Sequence, residues 1–165
     1  MKPEQSSQPP LTFERSYHAQ ISDLWDLWTT KEGFESWWGP EGFRVQVHEL
    51  DLRLGGQLRY DMIAVGAQEI AFMKAAGMAT SQPTHGTFTD IQPLRVLAIR
   101  HVIDFFPNVA AYNNDMRIEF SSEGESARML ITVDAHPNPF FTQQAKAGML
   151  SQLNKVAGAL AQLKK

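Results

Sequence analysis

The stretch LWDLWTTKEGFESWWGPEGF, Leu24 to Phe43, holds all four tryptophans of a 165-residue chain. Just upstream, Ile21 joins Leu24, Trp25 and Trp28 at the spacing i, i+3, i+4, i+7, which predicts a helix with one apolar face. Ser22 with Asp23 supplies its N-terminal signal. Thr29 or Thr30 then caps a second short helix carrying Phe34, Trp37 and Trp38, which Gly39-Pro40-Glu41-Gly42 stops with an enforced turn. Rings this large either anchor short helices to a sheet or form a platform for a flat ligand. Trp25 and Trp28 read as anchors. For Trp37 and Trp38 both readings stand, because adjacent helical residues cannot both face one core.

Outward from this stretch the period changes from helical to two. LTFERSYHA (Leu11–Ala19) reads as a first strand at a sheet edge, with Phe13, Arg15 and Tyr17 on one parity. FRVQVHELDLR and GGQLRYDMIA predict a hairpin turning near Gly55-Gly56, with Leu58, Tyr60 and Met62 on one face. THGTFTDIQP, RVLAIRHVIDF and YNNDMRIEFSS follow as strands, and ARMLITVDAH joins the last of them through a turn at Ser122–Glu125. Between the first hairpin and these strands, Ile70, Phe72 and Met73 lie on a short helix that serves as a lid or as cover for a strand edge. One long helix closes the chain from Pro139 to Leu163, with Met149, Leu153, Val156, Leu160 and Leu163 repeating every three or four residues. Strand, two short helices, about six hairpin-linked strands and a terminal helix imply an α+β fold: a curved antiparallel sheet covered by that helix.

Composition narrows the function classes. A hydrophobic content of 43%, a charged content of 20% and a formal charge of −3 fit a globular protein with no electrostatic footprint for nucleic acid. No stretch approaches the ~18 apolar residues of a membrane span, so no membrane insertion is expected. The polar, proline-rich MKPEQSSQPP lacks an apolar signal core, which predicts a disordered leader over residues 1–10, one domain over 11–165 and a cytoplasmic location. The absence of cysteine rules out thiol catalysis, disulfides and cysteine-ligated zinc. His18, His48, His85, His101 and His136 are scattered without metal-ligand spacing, and Gly55-Gly56 lacks the lysine and helix of a phosphate loop. No metal or other cofactor is expected.

The strand ending Tyr17-His18-Ala19, the helix LWDLWT, the WWGPEGF element at Trp37–Phe43, the ELDLRLGG segment at Glu49–Gly56 and the closing helix together resemble the START/Bet v 1-like (SRPBCC) helix-grip superfamily. Within it the chain is similar to the bacterial proteins named after the C-terminal domain of the Hsp90 ATPase activator, over about Leu11 to Leu163. The resemblance implies a seven-stranded antiparallel sheet wrapped around the terminal helix, with a cavity between them. Members of the superfamily carry lipids, bind plant hormones and flavonoids, or cyclise polyketides. Two departures, Gln20 in place of a frequent proline and Met149 in place of a frequent tryptophan, bear on the shape of the pocket.

Polar residues on apolar parities mark the candidate site. On RVLAIRHVIDF the inward set Leu97, Ile99, His101, Ile103 and Phe105 contains a histidine, while Arg100 and Asp104 share the other face. On YNNDMRIEF the inward set Tyr112, Met116, Ile118 and Phe120 accompanies Asn114, and antiparallel pairing through FPNVAA projects His101 and Asn114 into one space. Tyr60 is the third such residue. Buried polar groups need partners in protein, water or ligand. The residues expected to line a ligand cavity are Trp38, Tyr60, Met62, His101, Ile103, Asn114, Met116, Met149 and Leu153. Gly148 either leaves room beside Met149 for a ligand or a close sheet contact, or is a tolerated surface glycine. The expected function is non-covalent binding of a small apolar or aromatic molecule, with no catalytic residue assigned. The rivals are a chaperone-associated interaction module working through its surface and a cyclase/aromatase-like enzyme using a pocket histidine. Homodimerisation through an edge strand stays open.

Overall fold

The computed structural model describes residues 8–106 and 108–163. Residues 1–7 of the expected leader lie outside them. The chain runs β1 (Leu11–Tyr17), α1 (Ile21–Thr29), α2 (Lys31–Trp37), β2 (Phe43–Leu50), β3 (Gln57–Ala64), α3 (Ala67–Ala75), β4 (Ser81–Gln92), β5 (Val96–Ile103), β6 (Tyr112–Glu123), β7 (Ser126–Val133), α4 (Pro139–Leu153) and α5 (Val156–Leu163). The strands form one antiparallel seven-stranded sheet in the order β1-β7-β6-β5-β4-β3-β2, curved around the C-terminal helices, which is the helix-grip architecture. β1 takes the edge position its mixed parity predicts.

Alternation decides which way each strand faces. Leu58 and Tyr60 on β3, Leu97, Ile99 and His101 on β5, and Met116 and Ile118 on β6 point into the concave face and are buried. Arg100 and Asp104 lie on the convex side, where Arg100 makes a bidentate pair with Asp115 at 2.7 and 2.9 Å and His85 meets Asp104 at 3.2 Å. Register shifts between Val47 and Glu49 and between Phe88 and Asp90 insert bulges on β2 and β4, and bulges bend a sheet.

The two short helices abut at Thr30. Its backbone N–H donates to Asp26 O at the end of α1 and its hydroxyl accepts from Gly33 N at the start of α2. The helices cross so tightly there that a Cβ on Gly33 would stand 2.2 Å from Asp26 O, which only glycine avoids. α1 includes Ile21 as its spacing predicts, but the Ser22/Asp23 signal is corrected: the N-cap is Gln20, which makes no side-chain cap bond. Asp23 falls instead in the first turn, where its charge suits the helix dipole.

The expected long closing helix is present as α4 and α5, but it is not continuous. It breaks at Asn154-Lys155, where Asn154 N donates back to Ser151 O and Lys155 N to Gln152 O. These are i to i−3 bonds, the tightening that interrupts an α-helix. The break has a consequence for packing. α5 settles directly on α1 and α2, whereas α4 approaches every other element only sparsely and so stands off from the sheet. No helix among the described residues is long and apolar enough to cross a membrane.

Candidate functional site

The stand-off of α4 leaves a cavity of about 490 Å³ between it and the concave face of the sheet. Every layer contributes to its wall: Phe13 of β1, Met62 of β3, Thr84 of β4, Ile103 of β5, Val133 of β7 and Met149 of α4 are examples. Phe72 of α3 and Phe140 of α4, each 59% exposed, mark its mouth. Among the described residues no aspartate, glutamate, lysine or arginine lines it.

Of the residues expected to line a cavity, Trp38, Tyr60, Met62, His101, Ile103, Asn114, Met116 and Met149 do so. Leu153 does not: it is buried in the filled core with Val156 and Leu160. Met149 and Leu153 share a helix face, but Leu153 lies one turn further along, at the end of α4 that leads into the close-packed α5. Gly148 lines the cavity, and a Cβ there would meet only Pro40 Cγ at 3.9 Å. Of the α3 residues, Phe72 and Met73 line the cavity and Ile70 does not.

The opening aromatic stretch splits between core and cavity. Trp37 ends α2, is 1% exposed and donates its indole N–H to Leu27 O at 2.9 Å. Trp38 has already left the helix with an extended backbone, ψ 143°, so its side chain diverges from that of Trp37 and reaches the cavity wall. That is how two adjacent residues both become buried. Their rings meet edge to face at 5.2 Å, Trp38 stacks on Phe34 at 5.0 Å, and Phe34 meets Tyr60 edge-on at 5.3 Å. The aromatic series is continuous from core to cavity.

A polar relay runs along the same wall. Trp38 Nε1–H donates to Tyr60 Oη at 3.1 Å, and Tyr60 Oη lies 3.2 Å from His101 Nε2. His101 and Asn114 are direct cross-strand partners, and Asn114 Nδ2 donates to Asp134 O at 3.0 Å. Burial, with a smaller contribution from the His85 charge, pushes the His101 imidazole down to about 4, so the ring is neutral at ordinary pH. Burial pushes the Tyr60 phenol up, and that hydroxyl stays protonated. The wall therefore offers hydrogen bonds without charge. The relay spans β3, β5 and the loop after α2, and sequence spacing alone does not link these residues.

Sequence spacing gives no sign of a second histidine at the site. His136 lines the cavity, contacts Tyr112 through its Nδ1, and is held below its ordinary pKa by burial. Its backbone N–H donates to Thr142 Oγ1 at 2.9 Å, which ties the loop after β7 to the start of α4. Phe106 stacks on Phe141 at 4.1 Å and 10° between planes, closing the cavity where the β5–β6 loop meets α4. The available signal for this closure is Phe106 and Phe141, each the second ring of an aromatic doublet, Phe105-Phe106 and Phe140-Phe141. Among the described residues no group of histidine and carboxylate side chains could hold a metal ion.

A family model described as Activator of Hsp90 ATPase homolog 1-like protein matches residues 18–164. A crystal structure of a protein from Chromobacterium violaceum superposes with a TM-score of 0.75 at 17% identity, covering 92% of this chain and 96% of that one. The AHSA1 protein from Silicibacter pomeroyi superposes with a TM-score of 0.73 at 19% identity, covering 94% and 99%. An AHSA1-like protein from Aeromonas hydrophila, solved by NMR, gives 0.64 at 18%, covering 93% and 94%. No curated protein sequence matches.

Proposed function

The chain belongs to the activator of Hsp90 ATPase homolog 1-like family, within the SRPBCC helix-grip superfamily, and on that footing we propose that it binds a small, uncharged, largely apolar molecule in the cavity between sheet and α4. The observation that carries this reading is the cavity itself. At about 490 Å³ it falls within the roughly 300–1,000 Å³ range of ligand sites, and its mainly apolar wall with a few buried polar groups is the usual composition of such sites. Methionines on three sides, Met62, Met116 and Met149, give the wall a surface that adapts to a ligand's shape. The proposed binding is non-covalent: the neutral His101 is held by Tyr60, and among the described residues no carboxylate stands in the wall to share a proton with it.

An interior filled by side chains, beside an exposed patch, would have favoured the surface-acting interaction module; the cavity favours binding instead. The direct test is native mass spectrometry of gently purified protein against its denatured mass. A surplus mass lost on denaturation is the expected result. Absence of any surplus, together with failure of the neutral dye Nile red to bind, sinks the reading. A mass at twice the monomer would redirect attention to the surface.

The open space beside Gly148 gives a second test. Gly148→Ala is expected to fold normally and to gain up to about 1 kcal/mol from helix propensity. Gly148→Leu should project into the cavity and weaken Nile red binding about tenfold, equivalent to about 1.4 kcal/mol, while the melting temperature holds. Unchanged binding in the leucine variant would place the dye elsewhere.

A further inference from the structure

We propose that the ligand's polar end carries a hydrogen-bond acceptor and a donor side by side, as in a primary carboxamide or a hydroxyketone, and that it seats on His101 Nδ1–H and Asn114 Oδ1. This rests on the reading that the cavity holds a ligand.

The argument is one of proton positions. An indole N–H can only donate, so Tyr60 Oη accepts from Trp38. The remaining contact of Tyr60 is His101 Nε2, and the phenol's own proton finds a partner only if that nitrogen accepts it. A neutral imidazole with Nε2 accepting carries its proton on Nδ1. On the neighbouring strand, Asp134 O can only accept, so the Asn114 atom facing it is the amide nitrogen, which leaves Oδ1 turned away.

Among the described residues, neither His101 Nδ1 nor Asn114 Oδ1 has a protein partner. Yet neither is sealed: the fully occluded unpartnered side-chain atoms are Tyr17 Oη and Trp28 Nε1. Both residues are more than nine-tenths buried, line the cavity and sit opposite each other across β5 and β6. Directly opposed residues of an antiparallel pair have Cβ atoms roughly 4.5–5.5 Å apart, so one donor and one acceptor stand close together in an otherwise apolar wall. The other buried amide there is occupied: Gln152 Oε1 accepts from Gly39 N and its Nε2 turns to Met149 Sδ. A carboxylate ligand is disfavoured, since Asn114 Oδ1 would repel it and no lysine or arginine among the described residues lines the cavity.

The test compares 2-naphthamide, which offers both groups, with 2-ethylnaphthalene, which offers neither, by Nile red displacement in the native protein and in His101→Phe. The substitution is expected to lower the affinity ratio of amide to hydrocarbon about tenfold, the scale of a lost hydrogen bond of about 1.4 kcal/mol. Hydrocarbon binding should hold or strengthen. If both probes bind and the ratio does not move, the proposal fails while ligand binding stands; if neither binds, ligand binding fails as well. Should His101→Phe not fold, ¹⁵N NMR of the native protein decides. The expected result is His101 in its Nδ1–H form, with that resonance moving on addition of 2-naphthamide but not of 2-ethylnaphthalene. An Nε2–H tautomer overturns the proposal.

Discussion

Replacing Trp37 with alanine is expected to destabilise the protein by about 3–5 kcal/mol, the range for deleting a large buried ring. For a chain of this length that lowers the melting temperature by roughly 6–20 °C. Trp37 is 1% exposed, meets Trp28 edge to face at 4.8 Å, and supplies the N–H that Leu27 O accepts. Truncation therefore opens a cavity among rings and leaves the end of α1 without that bond. Chemical denaturation of both proteins measures the effect, and the midpoint should fall with little change in slope. A loss below about 1 kcal/mol would mean that Trp28, Trp38 and Phe34 close over the gap and that α2 is not held through Trp37.

Acidification gives the second large effect. His101 has a folded-state pKa of about 4 against an ordinary 6.5, because burial disfavours its charged form. The unfolded chain therefore binds more protons than the folded one between these values, and stability falls as pH falls. The stabilisation is complete above about pH 6.5 and lost by about pH 4, a difference of about 3 kcal/mol at 1.36 kcal/mol per pKa unit. His136, also lowered mainly by burial, acts in the same direction. Glu35, whose pKa lies below the usual 4.5, adds its loss as pH falls below about 4.5. In His101→Gln, whose amide oxygen can still accept from Tyr60 but does not titrate, the slope between pH 6.5 and 4 should be clearly shallower. An unchanged slope would show that His101 is not the group responsible.

The architecture was largely legible because its signals are local. The i, i+3, i+4, i+7 spacing of Ile21, Leu24, Trp25 and Trp28 yields α1, and the alternation of Leu58, Tyr60 and Met62 yields β3. Even the juxtaposition of His101 and Asn114 could be read, since parity and antiparallel pairing of successive strands bring them opposite each other. Helix ends were less legible. Ser22 and Asp23 are good capping residues, but the chain leaving β1 already has an extended Gln20 whose carbonyl starts α1. The break at Asn154-Lys155, beyond which α5 seats on α1 and α2, is not revealed by the unbroken period of Met149, Leu153, Val156 and Leu160.

The sequence by itself determined which residues face inward, because backbone geometry alternates them with periods of 2 and 3.6 whatever the rest of the chain does. Only the tertiary structure decided how far α4 stands from the sheet, and hence that Met149 meets a cavity while Leu153 meets packed core. It alone brought Trp38, Tyr60 and His101 within hydrogen-bond distance across 22 and 41 residues of sequence, and Phe106 onto Phe141. The physical reason is that periodicity gives a side chain its direction, whereas the separation between layers comes from the packing of all of them together.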